Sequence, residues 1–186
     1  MARRMAPTPC TTVTHEVMGE RYCVVRRKGW PMPVSPVEVR VIPAQHTAVV
    51  RRRGPVERIS EAIQAALPLA LQAVVRAGMQ PSGPPFVRYL AMEPGAWEVE
   101  IGWPVPAPVA PGGEAVPSST PAGPAATATY FGPYEGVGEA YGVIQAWCVA
   151  HGHEAAGPPW ESYLTDPGAE PDPAKWRTDI VQPVKS

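Results

Sequence analysis

The sequence predicts an α+β domain made of two copies of a βαββ unit, forming an antiparallel sheet with both helices on one face. Three internal matches predict it. Arg52-Arg53-Gly54-Pro55 and Tyr130-Phe131-Gly132-Pro133 each carry Glu two residues after the proline and Glu-Ala six and seven after it, at an offset of 78 residues. GPPFVRYL (Gly83 to Leu90) returns as GPPWESYL (Gly157 to Leu164) with five of eight residues identical, at an offset of 74. WEVEIGWPV (Trp97 to Val105) returns as WRTDIVQPV (Trp176 to Val184), at an offset of 79. Chance explains one such match but hardly three in the same order, so the chain holds a duplication.

The copies span about residues 45–105 and 126–184. In the first, HTAVVRRR is β-branched enough for a strand, and Gly54-Pro55 ends it. Proline suits a first helical turn because its missing N–H has no partner there. The helix then runs to Gly78 as a C-cap, with Pro68 expected to kink or split it. In the second copy Val137, Tyr141, Ile144 and Cys148 make one apolar stripe after Gly132-Pro133, and Gly152 stops the helix. FVRYLAM and WESYLT are short strands, each followed by a turn and a closing strand ending in Pro-Val. Residues 104–125 hold seven prolines and read as an unstructured linker. Residues 1–35 read as a flexible extension ahead of a domain at 36–184, in which Cys23-Val24-Val25 with Arg26-Arg27-Lys28 suits either an extra strand or a basic arm. A pseudo-two-fold axis would relate the copies. Because helices cover one side of the sheet, the ligand cleft is expected on the opposite face, near that axis.

Composition narrows the function. The 186 residues carry 16 basic and 17 acidic side chains, a net charge of -1, which excludes binding to nucleic acid or anionic lipid through bulk charge. Proline reaches 26 residues, about 14% against a usual ~5%, but six tryptophans and six tyrosines argue for a packed core. Residues 1–60 carry 11 basic and 4 acidic groups, whereas residues 107–186 carry 3 and 9, so the second half suits a cationic partner. The N-terminus lacks the apolar stretch of a secretory signal, and no window reaches the ~18 apolar residues of a membrane span. Three cysteines without framework spacing suit a reduced cytoplasm. Neither direct DNA binding nor membrane association is expected.

Strand alternation places Glu161 and Tyr163 on one face, and Val87 and Tyr89 on the equivalent face of the first copy. Two strands related by the axis would thus surround one carboxylate with aromatic rings. A carboxylate there is costly unless it meets a cation or takes up a proton, and aromatic faces themselves attract cations. The bland alternative is a rim glutamate pointing to water, or one paired with Arg88 or Arg177. Trp97 and Trp176, heading the two closing strands, either wall the pocket or fill the core. Cys148, His151, His153 and Glu154 offer no second ligand cluster for zinc, and His151 suits a helix C-terminus. Arg51, Arg52 and Arg53 read as a solvated face.

At WESYLTDPGAEPDPAKWRTDIVQPV, with two Gly-Pro-initiated helices upstream, the chain resembles the GyrI-like small-molecule-binding family, the effector-binding domain also joined to AraC-type and MerR-type multidrug regulators. The resemblance spans residues 36–184. It implies a duplicated βαββ fold with a cleft on the pseudo-axis, Glu161 in that cleft facing cationic aromatic ligands, and Phe131 and Trp176 walling it. Three functions are implied: binding of lipophilic, cationic or planar aromatic molecules; hydrolytic opening of the cyclopropane ring of DNA-alkylating natural products, with Glu161, Tyr89 and Tyr163 as catalytic groups; and gyrase inhibition, with the acidic half as a DNA mimic. No cofactor is expected: the heme-binding SOUL proteins share the architecture more distantly, but no axial ligand is suitably placed, since the only histidine on a predicted core strand, His46, starts that strand.

Overall fold

A computed structural model of the chain describes residues 10–17, 20–27 and 33–185. They fall into two units, Met1–Pro33 and Val34–Ser186. The first contains a hairpin in which β1 (Cys10–Val17) pairs antiparallel with β2 (Glu20–Arg27). Strand therefore occupies part of the stretch expected to be flexible, and Cys23-Val24-Val25 belongs to it.

The second unit runs β3 (Glu38–Ile42), β4 (Gln45–Pro55), α1 (Ile59–Arg76), β5 (Phe86–Glu93), β6 (Ala96–Val105), β7 (Ala115–Thr120), β8 (Gly123–Phe131), α2 (Val137–Ala150), β9 (Trp160–Tyr163) and β10 (Arg177–Pro183). Eight strands form one antiparallel sheet in the order β3-β8-β10-β9-β5-β6-β4-β7. From its centre outward the order reads β5-β6-β4 one way and β9-β10-β8 the other, so the copies are related as the repeats require. β5 and β9 pair with Val87 opposite Glu161. These two residues are each other's counterparts at the 74-residue offset, so the pseudo-axis passes through them.

Each copy is one strand longer than predicted. β3 leads into β4 through Pro43-Ala44, yet it pairs with β8 of the other copy. β7 leads into β8 through Pro121-Ala122, 78 residues later, and pairs with β4. The repeat is thus ββαββ with its first strands exchanged. The segment 104–125, expected to be an unstructured linker, carries β7. An edge strand tolerates Pro117, whose missing N–H breaks no ladder if it faces outward. Likewise α1 continues unbroken through Pro68, which is exposed on the side away from the sheet.

Both helices lie on one face, as the sequence predicts. Ala66, Ala70 and Ala73 of α1 pack with Val50, Val87, Val99 and Ile101. Val137, Ala140, Ile144 and Cys148 of α2 pack with Ala126, Ala128 and Ile180. Small helix residues let α1 sit close to the large sheet residues beneath it. On the other face, Val49, Phe86, Ala125, Trp160 and Val181 form a second buried cluster that Ile42 of β3 and Val116 of β7 flank. Side chains from both sheet edges thus meet one central cluster, so the sheet curls around this face. Gly102 lies within the curl, where a Cβ would stand 1.9 Å from the Ala48 carbonyl oxygen.

Candidate functional site

One row of side chains crosses the helix-covered face: Ala115, Val50, Ile101, Val87, Glu161, Ile180 and Ala128, each paired with the next. All are buried, and Glu161 alone among them is charged. α1 packs on β4 and β6, and α2 on β8 and β10, which leaves the central β5 and β9 under the gap between helices. This corrects the expectation that the site lies on the helix-free face. Two helices at the flanks do not cover the middle of an eight-stranded sheet, and curling seals the other side.

Tyrosines close that gap. Tyr163, two residues along β9 and on the same face, donates its hydroxyl to Glu161 Oε2 at 2.9 Å. Tyr89 approaches from β5 beside a bulge between Tyr89 and Ala91, a device that re-aims side chains near binding sites. Tyr141 descends from α2, its ring edge-on to Tyr89 at 6.1 Å between centroids. Both phenols lie near enough to the carboxylate to perturb it. Even so, the buried Tyr141 hydroxyl makes no hydrogen bond of normal geometry. Outside this group Tyr134 meets Tyr163 edge-on at 5.1 Å and Trp176 at 4.7 Å. The Trp176 indole is held by donating to the Glu170 carbonyl at 2.8 Å.

Glu161 is 5% exposed. Burial lifts its carboxyl above the ordinary carboxylate range, and hydrogen bonding from the phenols pulls it partly back. Burial and the Glu161 charge push Tyr89, Tyr141 and Tyr163 well above the ordinary phenol value, so all three remain neutral donors. Among the described residues no cation pairs with Glu161. The reverse face presents the contrast. Glu100, wholly buried, accepts from Arg51 at 3.0 Å, from Ser118 at 2.9 Å and from Arg88. One buried carboxylate is neutralised by two guanidinium groups; the other meets only phenols.

Of the sequence-predicted residues, Glu161, Tyr163, Tyr89 and Val87 come together, and Trp176 joins them through Tyr134. Trp97 does not: it is a core residue, 4% exposed, donating to the Pro55 carbonyl at 2.7 Å with its ring against Gly54. Phe131 does not either. Its register opposite Arg177 places it on the reverse face, 43% exposed, because the alternation that turns Tyr130 and Ala128 toward α2 turns Phe131 away. Phenol side chains crowd the expected hollow, and two open pockets among the described residues lie elsewhere. One of about 540 Å³ runs beside Pro68, Leu71 and Val75 of α1, and one of about 50 Å³ lies beside Glu93 and Glu98. Arg51, Arg52 and Arg53 pair with Glu100, Glu114 and Glu93, while His151 and His153 stack on Trp147.

Sequence reasoning counted Tyr141 as core and passed over Tyr134 and Glu100. A signal for the two tyrosines was present in the repeat. At the 78-residue offset Tyr141 answers Ile63 and Tyr134 answers Val56, as Glu161 answers Val87 at 74. Each is a place where an aliphatic residue of the first copy becomes polar or aromatic in the second.

Among curated proteins none matches the chain. Solved structures do. The C-terminal domain of EcmrR superposes with a TM-score of 0.73 at 25% identity, covering 81% of this chain and 98% of that one. EcmrR in its complex with DNA gives 0.74 at 25% identity, covering 84% of this chain, which spans only 59% of the EcmrR chain. SAV2435 bound to tetraphenylphosphonium shares the fold, with a TM-score of 0.59, 11% identity and coverage of 82% and 95%. Residues 35–185 match the GyrI-like small molecule binding domain, and with the duplicated sheet and its axial carboxylate already in view, the chain belongs to that family.

Proposed function

We propose that the domain binds lipophilic cations, especially planar or aromatic ones, with Glu161 as their counter-charge, and that it serves to sequester or sense them in the cytoplasm. One observation carries the reading: a carboxylate is buried in an otherwise apolar row with no cationic partner among the described residues. Such a group costs folding energy, and a cation seated among the tyrosine faces would offset that cost through charge and cation–π attraction. The tetraphenylphosphonium held by SAV2435 is a ligand of this type. Calorimetric titration with tetraphenylphosphonium and with a cationic rhodamine tests it. Glu161→Gln should weaken both by about 10- to 100-fold, the equivalent of ~1–3 kcal/mol. Equal affinity for the two proteins overturns the charge pairing.

A hydrolytic reading has one observation in its favour, the raised Glu161 carboxyl hydrogen-bonded to Tyr163 at 2.9 Å. Glu161 would orient a water molecule while Tyr163 or Tyr89 protonates a departing phenoxide-like oxygen. Incubation with a cyclopropane-containing alkylator should then yield the ring-opened water adduct. No turnover, or equal turnover by Glu161→Ala, rules this out.

A further inference from the structure

The two edges of the eight-stranded sheet are counterparts in the duplication, yet they are not protected alike. β7 answers β3 at the 78-residue offset, and Pro117 pairs with Ala48 as Val39 pairs with Ala126. An open edge offers unpaired N–H and C=O groups to any other strand, and proteins blunt it with proline or by covering it. β7 is blunted. Pro117 has no N–H to offer, and the Ser119 carbonyl accepts from Arg88 at 2.8 Å. At the two corresponding positions β3 has Val39 and Val41. Register shows which β3 groups face outward. Ser35 N–H donates to the Thr129 carbonyl, and from the other side of β8 Val184 N–H donates to that of Pro124. Odd residues of β8 therefore bond toward β3 and even ones toward β10. Glu38, Arg40 and Ile42, opposite Thr127, Ala125 and Gly123, direct their backbone groups to β8. Val39 and Val41 point theirs away from the sheet, and among the described residues no strand pairs with them on that side.

The side chains along this edge suit a second copy of the same strand. Val39 and Val41 are 39% and 84% exposed, and Glu38 and Arg40 stand on either side of Val39. We propose that the β3 strands of two chains pair antiparallel about Val39, joining their sheets into one. Val39 of each chain then meets Val39 of the other in a hydrogen-bonded pair, and Glu38 of each faces Arg40 of the other. Opposite charges directly across a ladder stabilise it. The register centred on Arg40 instead sets two guanidinium groups opposite each other and is disfavoured for that reason. A single strand pair buries little surface and belongs to the weak class of interface, so a dissociation constant of about 10–100 µM is expected.

Sedimentation equilibrium of the full chain from about 1 µM to about 1 mM tests the pairing. The weight-average mass should rise toward twice that of one chain. Val39→Pro gives β3 the residue that β7 already has, and the N–H it removes makes no bond to β8. This variant should keep the mass of one chain at every concentration while its circular dichroism matches the wild type. Two charge variants make the test independent of that proline. Glu38→Arg alone and Arg40→Glu alone each set like charges opposite each other, so each should remain a single chain. An equimolar mixture of the two restores opposite charges at both positions and should dimerise as the wild type does. A wild type that stays a single chain at about 1 mM overturns the proposal and leaves the edge to another segment of this chain or to a different partner. Val39→Pro or single charge variants that dimerise like the wild type overturn it as well, as does a mixture that associates no more tightly than its components.

Discussion

Glu161 and Glu100 lie buried on opposite faces of one sheet, and their surroundings predict opposite responses to the same substitution. Burial raises the Glu161 carboxyl above its value in the unfolded chain. From the ordinary carboxylate range up to that raised value, the folded chain keeps a proton that the unfolded chain has released, so stability falls as pH rises through the window. Glu161→Gln removes this penalty. Its melting temperature should exceed the wild type's at neutral pH, and the advantage should fade toward pH ~4, where both side chains are neutral. Glu100 is the reverse. Its loss would leave the Arg88 guanidinium, 13% exposed, without its counter-charge, so Glu100→Gln should destabilise by about 3 kcal/mol in a denaturant titration. On the proposed reading Glu161 is a costly residue retained for a ligand, whereas the Glu100 ion pair is retained because breaking it costs more than keeping it.

At the scale of elements, spacing revealed what the repeat repeats and concealed what it exchanges. The helices, the central strands and the facing of Glu161, Tyr163, Val87 and Tyr89 follow from alternation and from Gly-Pro breaks, which are local physics. β7 was hidden because proline argues against a strand unless that strand is an edge, and position in a sheet is not a local property. The echo of Pro43-Ala44 in Pro121-Ala122 marked it all the same. Which face holds the site depends on where two helices settle over eight strands, and the pocket role that the resemblance implies for Phe131 takes no account of its register with β10. Curling of the sheet was likewise illegible, although it imposes a strict demand at Gly102. A Cβ there collides with the backbone of β4 rather than with a movable side chain. Gly102→Ala should therefore cost about 3 kcal/mol in chemical denaturation, despite alanine's better intrinsic preference for ordered structure.

For the whole molecule, the proposed cation reading has ligand, proton and fold competing for one carboxylate. On that reading a cation pairs with the ionised form of Glu161, whereas the folded, ligand-free chain favours the protonated form more than an exposed glutamate would. Binding must therefore release a proton over the pH range in which the free site is protonated. Tyr89 of β5, Tyr141 of α2 and Tyr163 of β9 face the same oxygens, but all three are held neutral and do not titrate in that range. Affinity for tetraphenylphosphonium should consequently weaken as pH falls toward the ordinary carboxylate range, approaching tenfold per pH unit where the site is mainly protonated. A neutral aromatic ligand of similar size should show no such slope, and Glu161→Gln should abolish it for the cation. The same linkage appears in melting: tetraphenylphosphonium at 100 times its Kd should stabilise the wild type by about 2.7 kcal/mol, and at that fixed concentration the shift should shrink as the solution is acidified. Calorimetry in buffers of different ionisation enthalpy counts the released proton directly. A count of zero, with affinity constant across pH, would mean that the cation is held by aromatic faces alone and that the charge of Glu161 takes no part.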